Sequence, residues 1–146
     1  MGKGTRHKYT LKVASKTENL GRIRAFVREL SLKAGFSLDA AGQIELAVDE
    51  ACTNVIRHAY KHNGRRMVEL TAFLDEEKIE IIVSDNGGGF NIAKVRKPDI
   101  REYASKSKKG GLGIHMMRSL MDEVSFSMQP GKKNHVSLIK YLRKSL

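Results

Sequence analysis

The chain has 146 residues, 40% hydrophobic content and a formal net charge of +11, which fits one domain that buries a real core. No apolar run reaches the roughly 18 residues that a membrane helix needs, and no apolar stretch follows the basic N-terminus, so we expect neither a membrane span nor a secretory signal. The one cysteine, Cys52, excludes an internal disulfide and favours a cytoplasmic location.

The positive charge raises the question of nucleic-acid binding. It is spread over both termini and residues 94–109 with little aromatic interleaving, and no zinc-finger spacing or RNA-binding signature is present. Phosphate binding or an acidic protein partner explains the charge equally well, so we expect no direct nucleic-acid binding.

The first predicted elements are a strand and a helix. Residues 8–13 alternate and predict a strand. Ser15 and Glu18 form an S-x-x-E pattern that predicts a capping box, and apolar residues then recur at helical spacing until Gly35 ends the helix.

A second helix and a hairpin follow. Ser37 predicts the cap of a helix over residues 38–60, and the HNG sequence after it predicts a break. Residues 67–74 and 78–84 predict two strands joined by an acidic turn.

The C-terminal half begins with a basic segment, residues 91–109, which we interpret as a mobile loop. Residues 112–123 predict a helix, and residues 124–129 and 135–142 predict two final strands. Because helices and strands are segregated along the chain, the sequence predicts one α+β domain over residues 1–146. It would be a two-layer sandwich with helices on one face of a mostly antiparallel sheet.

The second predicted helix carries an acid and an amide on one stripe. At about 100° per residue, Glu50, Asn54 and Arg57 share a stripe beside the core arc. An amide oxygen suits Mg²⁺, and a carboxylate one turn earlier can accept a proton from an attacking hydroxyl. The alternative is a solvated polar face with pairs four residues apart, which the glycine segments described below disfavour.

His58 lies between the polar stripe and the apolar arc, near the end of the same helix. Two roles are open: bonding a carbonyl or favouring the helix dipole, or contacting a phosphate directly. Of these, we favour the structural role.

A first glycine segment follows a strongly apolar strand. Asp85 lies at the strand end, and three glycines from Gly87 to Gly89 follow almost at once. Glycine lets backbone approach a flat ligand closely, and a carboxylate there can accept a hydrogen bond from the exocyclic amine of adenine. The alternative is a tight turn, but three successive glycines exceed what a turn requires.

A second glycine segment, Lys109-Gly110-Gly111-Leu112-Gly113, precedes the third predicted helix. Its backbone amides would form an anion site at the helix N-terminus. The pattern matches neither a P-loop nor a Rossmann turn. The basic residues of 91–109 would act as an electrostatic lid over a triphosphate.

Glu50-x-x-x-Asn54, Asp85-x-Gly87-x-Gly89 and Gly111-x-Gly113 together resemble the nucleotide boxes of the GHKL ATPase superfamily, which has the Bergerat fold. The EACTN-x-x-x-H and GGLGIHMMRSLMDEV segments resemble, more narrowly, the bacterial anti-sigma-factor serine/threonine kinases. The resemblance covers residues 8–142.

The resemblance implies ATP and Mg²⁺ as cofactors, and a sigma factor and a STAS-type anti-anti-sigma protein as partners of a homodimer. It implies that Glu50 is the catalytic base, Asn54 the Mg²⁺ ligand and Asp85 the adenine-reading acid. The remaining nucleotide-binding positions that it implies or that the pattern suggests are Arg57, His58, Gly87, Gly89, Lys109, Gly110, Gly111, Leu112 and Gly113.

The chain departs from the superfamily near its last strand. Where Gly-Thr-x-Val is common, this chain has Lys133-Asn134-His135-Val136, and Asn134 could bond adenine through water. We therefore predict an ATP-dependent protein kinase. The rivals are a non-catalytic nucleotide-gated adaptor and a basic nucleic-acid binder.

Overall fold

Alternating apolar residues along the strands build a sheet with one buried face, as the computed structural model of the chain shows. In β2, for example, Val68, Leu70 and Ala72 are fully buried, while the residues between them are partly exposed. The structure describes residues 5–59, 65–87, 110–129 and 132–143. The strands are β1 (His7–Ala14), β2 (Met67–Leu74), β3 (Lys78–Asp85), β4 (Glu123–Ser127) and β5 (Asn134–Tyr141), and the helices are α1 (Leu20–Ala34), α2 (Leu38–Asn54) and α3 (Gly110–Leu120).

The sheet has the strand order β1-β2-β3-β5-β4, and every neighbouring pair is antiparallel. Helix α2 packs between α1 and α3 over the sheet. The core lies between the two layers and includes Val27, Ile44, Leu70, Ile81 and Met117. The predicted α+β two-layer architecture is confirmed. Its strand order places β3 beside β5, so that the ends of these two strands meet under α2.

The turns that join the elements follow local chemistry. The Ser37 side chain accepts a hydrogen bond from the Ala40 N–H at 3.1 Å, so it caps α2 as predicted. Gly35 ends α1 with a φ of 107°, a conformation that favours glycine. The predicted hairpin between β2 and β3 also forms, because the Asp75 carboxylate accepts hydrogen bonds from the Glu77 and Lys78 amides.

Helix α1 begins beyond the Ser15–Glu18 pattern that predicted its cap. A 3₁₀ turn, Thr17–Asn19, precedes the helix, and the residue before that turn is Lys16, which makes no side-chain cap bond. The Asn19 side chain donates to the Ala14 carbonyl at 2.8 Å. The capping bonds that the sequence predicts for Ser15 and Glu18 stay a prediction.

Helix α3 differs from its prediction at both ends. It begins at Gly110, two residues before the predicted start at 112, and it ends at Leu120 rather than 123. Burial of Ile114 and Met117 against the core outweighs the low helix propensity of the glycines. At the other end, the Asp122 N–H already donates to the Ile139 carbonyl, so the chain has joined the sheet. Among the described residues, no helix combines the length and apolarity needed to cross a bilayer.

Candidate functional site

The C-terminal half of α2 carries the acid and the amide that the sequence singled out. Asn54 is only 5% exposed, and its Nδ2 is buried with no hydrogen-bond partner among the described residues. Burying an amide hydrogen without a partner costs free energy. An orphaned amide of this kind is typical of a side chain that is kept for a ligand. The sequence placed Asn54 beside the core, whereas the structure buries it.

Helix α2 ends in a π-helical turn, Val55–Ala59, rather than in regular α-helix. A π turn holds more residues than an α turn, so the angular position that a 100° spacing predicts for Arg57 does not hold. Arg57 is exposed, yet its charge lies close enough to lower the pKa of Glu50. The backbone of His58 lies in the same turn, and its side chain lies outside the described part of the chain.

Gly113 brings α3 into contact with the acid and the amide of α2. A Cβ atom placed on Gly113 would lie 2.7 Å from the Oε2 atom of Glu50 and 3.8 Å from the Oδ1 atom of Asn54. A real Cβ does not approach an oxygen to 2.7 Å, so the space beside Gly113 is available to the Glu50 carboxylate only because glycine has no side chain. The first turn of α3 therefore lies directly against the polar stripe of α2.

Glu50 sits in an environment that favours its neutral form. Burial raises the pKa of Glu50 above the usual 4.5, the negative charge of Asp49 raises it further, and the positive charge of Arg57 opposes both effects. A carboxylate with a raised pKa is a stronger base than an ordinary glutamate. Glu50 is thus suited to accept a proton from a hydroxyl that approaches α2.

Asp85 ends β3 on the buried face of the sheet and is 7% exposed. Its Oδ1 atom accepts a hydrogen bond from the Gly87 N–H at 2.8 Å and another from the Asn134 Nδ2 at 3.0 Å. Asn134 is fully buried at the start of β5, directly opposite Asp85 in the β3–β5 ladder. The Asp85 carboxylate is therefore fixed by its neighbours.

A small depression lies between α2, α3 and the sheet, and both Asn54 and Asp85 line it. Its wall is apolar apart from three polar residues, Asn54, Asp85 and His135. An apolar wall with a few polar residues is the composition of a small-molecule site. The apolar wall consists of Ala51, Val55, Val83, Met117, Phe126, Met128 and Val136.

The pocket and the Gly113 contact share Asn54. At one end of the site, the Asp85 carboxylate lies in the apolar-walled pocket. At the other end lie the Glu50 carboxylate, the Asn54 amide and the N-terminus of α3. The first shape suits a flat base, and the second suits an anionic group near a proton acceptor. Among the described residues, Asn54 and Asp85 line one pocket, and Gly113 contacts Asn54 and Glu50 beside it.

Asn54 is the candidate ligand for a metal ion at this site. No three His, Cys, Asp or Glu side chains cluster as a metal site within the part of the chain that the structure describes. Asn54 offers one neutral oxygen beside the pocket, which suits a magnesium ion that takes most of its ligands from water and phosphate.

Several predicted residues fall outside the described residues. These are Gly89, Lys109 and the whole predicted lid, 91–109, together with the side chain of Leu112. The backbones of Gly110 and Gly111 are described and lie in the first turn of α3.

Sequence reasoning missed part of the pocket wall. The sequence did not predict four of the residues that line the pocket, Met117, Phe126, Met128 and His135. The alternation of Val124, Phe126 and Met128 indicated a shared face, but it did not indicate a ligand. The sequence left open whether Asn134 bonds adenine through water, and in the structure its amide is bonded within the protein.

Comparisons with known proteins bear on the same residues. Residues 13–140 match the family described as the histidine kinase-like ATPase domain. The chain is 36% identical over 138 residues to the serine-protein kinase RsbW of Bacillus licheniformis, an alignment that covers 92% of this chain and 85% of that protein. The serine-protein kinase RsbW of Staphylococcus aureus is 32% identical and covers 92% and 86%.

A crystal structure of the RsbU and RsbW domains of a Mycobacterium tuberculosis protein is similar in fold. It has a TM-score of 0.65 and 16% sequence identity, and the match covers 92% of this chain. The present chain spans 31% of that longer chain.

Proposed function

The chain belongs to the histidine kinase-like ATPase family, and from this premise we propose that it is an ATP-dependent protein serine/threonine kinase of the anti-sigma type. In this proposal it binds a sigma factor and phosphorylates a serine or threonine of a STAS-type anti-anti-sigma protein. The similarity to proteins named serine-protein kinases over some nine-tenths of the chain supports the kinase activity. The sequence motifs described above support the choice of partners.

One observation carries the proposal. Asn54 and Asp85 come from different elements of the fold, yet both line one pocket, and Gly113 in the first turn of α3 lies beside Asn54 and Glu50. A base pocket joined to a proton acceptor is what phosphoryl transfer from a nucleotide requires.

In the proposed reaction, the hydroxyl oxygen of the partner's serine attacks the γ-phosphorus of ATP, and the bond to the β–γ bridging oxygen breaks. Glu50 orients the hydroxyl and takes its proton, which its raised pKa favours. Most of the acceleration comes from alignment of the two reactants and from charge stabilisation, because phosphoryl transfer needs little covalent help from the protein.

The phosphates would lie toward the N-terminal turn of α3. The first amides of a helix have no partners within the helix, and three of the four residues in the turn Gly110–Gly113 are glycines. Arg57 adds a positive charge nearby, as its effect on Glu50 indicates. Direct phosphate contacts by His58 and Lys109, and shaping of the adenine site by Gly89, stay predictions.

Asn54 is the residue that would hold magnesium, through its Oδ1 atom. A bound magnesium ion would neutralise charge on the phosphates. Asn54 itself keeps a fixed position because α2 and the surrounding core bury it, and its orphaned Nδ2 can donate a hydrogen bond to a bound nucleotide.

The proposal also covers the location and the oligomeric state of the protein. A kinase that sequesters a sigma factor works in the cytoplasm, and we propose that it does so as a homodimer. The basic character of the chain, with a net charge of +11, suits acidic protein surfaces as well as phosphates.

Radiolabelled ATP with magnesium and a STAS-domain protein tests the activity. We expect label on the STAS protein with the wild-type chain, and none above background with Glu50→Ala, which should still bind ATP. Asp85→Asn should weaken ATP binding itself, because the acceptor for the exocyclic amine loses part of its acceptor capacity. Glu45→Gln is the matched control, since Glu45 lies on the same helix and pairs with Arg28 at 3.6 Å.

Two outcomes would count against the proposal. A stable complex with the STAS protein that never acquires label would favour the nucleotide-gated adaptor. Equal transfer rates in wild type and Glu50→Ala would remove Glu50 from the role of base.

A further inference from the structure

Asn134 joins three separate segments around the predicted adenine acceptor. Its Nδ2 donates to the Asp85 Oδ1 at 3.0 Å and to the Gly87 carbonyl at 3.0 Å, and its Oδ1 accepts from the Gln129 N–H at 2.9 Å. The side chain is fully buried. One amide therefore links the end of β3, the glycine segment after it and the connection between β4 and β5.

These bonds fall unevenly on the Asp85 carboxylate. Both the Gly87 N–H and the Asn134 amide donate to the same oxygen, Oδ1. A carboxylate held through one oxygen has a fixed plane and presents the other oxygen in one direction. The carboxylate that faces the pocket is thus set before any ligand arrives.

We propose that Asn134 is a positioning residue that aims Asp85 at an exocyclic amino group, and so makes the pocket selective for 6-aminopurine nucleotides over 6-oxopurine nucleotides. The inference rests on the proposed function, because it takes Asp85 as the acceptor for the base. It assigns the selectivity to a pair of residues, because Asn134 holds the Oδ1 atom of Asp85 and thereby sets the direction of Oδ2.

The chemistry of the pair explains why an amide suits this position. The two hydrogens of Nδ2 are shared between Asp85 and Gly87, so Asn134 fixes the carboxylate and the following loop together. A carboxylate in its place would keep the shape, lose both donors and repel Asp85. The position therefore tolerates little change if selectivity is to be kept.

A purely structural role for Asn134 is the alternative. In that case Asn134 only ties strands and loops together, and its replacement lowers the thermal stability without changing the choice of nucleotide. The test must therefore measure selectivity and stability separately.

The test compares the dissociation constants of ATP and ITP by calorimetry, well below the melting temperature of each variant. ITP differs from ATP at the 6-position, where an oxygen replaces the amino group. We expect wild type to prefer ATP by at least about tenfold, because a site built to bond an N–H rejects an analogue that lacks it. In Asn134→Asp the ratio should fall to about one.

Exchanging the side chains of residues 85 and 134 separates the effect on nucleotide selectivity from the effect on stability. The double variant Asp85→Asn, Asn134→Asp restores a donor and an acceptor across the pair, so its melting temperature should recover part of the loss seen in Asn134→Asp. Its ATP preference should stay lost, because the residue at 85 must use its amide hydrogens toward 134. If Asn134→Asp does not fold, the ratio of the ATP and ITP dissociation constants is measured in Asn134→Ser, which keeps one donor.

Ser84→Ala is the matched control. Ser84 lies next to Asp85 and bonds His135, the neighbour of Asn134, at 3.0 Å on the opposite face of the sheet. We expect this variant to lose stability and keep the ATP-to-ITP ratio.

The outcomes separate the two proposals. If wild type prefers ATP and Asn134→Asp or Asn134→Ser prefers it equally, the role of Asn134 is overturned while the proposed kinase stands. If wild type binds neither nucleotide, the proposed function itself fails.

Discussion

Substituting Gly113 by alanine tests whether contact between α3 and the catalytic stripe controls phosphoryl transfer. The new Cβ would lie 2.7 Å from the Glu50 Oε2, whereas ordinary van der Waals contact begins at 3.4 Å. The Glu50 carboxylate must therefore withdraw by the difference between these distances, about 0.7 Å. Because that oxygen belongs to the end of a flexible side chain, the displacement costs little stability.

The cost should appear in the rate. A displacement of about 1 Å in a catalytic group can lower a rate by about a hundredfold, so we expect kcat to fall by about ten- to a hundredfold in Gly113→Ala. Folding should be unchanged or slightly improved, because alanine is the better helix former.

Gly42→Ala is the matched control. Gly42 lies inside α2 and a Cβ there would meet no atom within 4 Å. The substitution should stabilise the protein by about 0.5–1 kcal/mol and raise Tm by about 2–4 °C without changing kcat. Measurement of kcat at saturating ATP and of Tm by calorimetry decides the matter. If Gly113→Ala and Gly42→Ala have equal kcat values, the contact with Glu50 has no catalytic importance.

Three further predictions concern buried ionisable groups. Burial and the charge of Asp49 raise the pKa of Glu50, and the charge of Arg57 lowers it. The acid limb of the pH profile of kcat should therefore lie above pH 4.5. It should move to lower pH in Asp49→Asn and to higher pH in Arg57→Gln. A limb that stays in place in both variants would show that another group titrates. Glu50→Gln should raise Tm at neutral pH, because a pKa that is higher in the folded than in the unfolded state makes ionisation of Glu50 destabilising. That gain should shrink as the pH falls toward 4.5, and a gain that is constant with pH contradicts the argument. Burial also raises the pKa of the Cys52 thiol, and Cys52 is fully buried, so a thiol reagent should react with it only after unfolding; rapid reaction in the native protein would disprove its burial.

Local signals in the sequence predicted much of the secondary structure. The alternation in residues 67–74 predicted β2 because a strand turns every second side chain to the same face. The caps at Ser37 and Gly35 were correct because each depends on its own side chain and nearest backbone. The segregation of helices and strands then gave the fold class.

Local signals failed where tertiary packing opposed them. The glycines led us to predict a helix start at residue 112, but burial of the helix face behind them extends α3 back to Gly110. The π turn after Asn54 was not predicted either, because no residue type specifies it.

The sequence by itself determined the chemical inventory of this protein: an acid and an amide one helical turn apart, an acid before a run of glycines, and a glycine-rich start to a helix. Tertiary structure alone decided how these groups meet. Asp85 and Asn134 are 49 residues apart, and they bond because the antiparallel register of β3 and β5 places them opposite each other. The 2.7 Å approach at Gly113 likewise depends on how α3 packs on α2. Distances between remote segments arise from the packing of the whole core, whereas propensities and caps arise from neighbours along the chain.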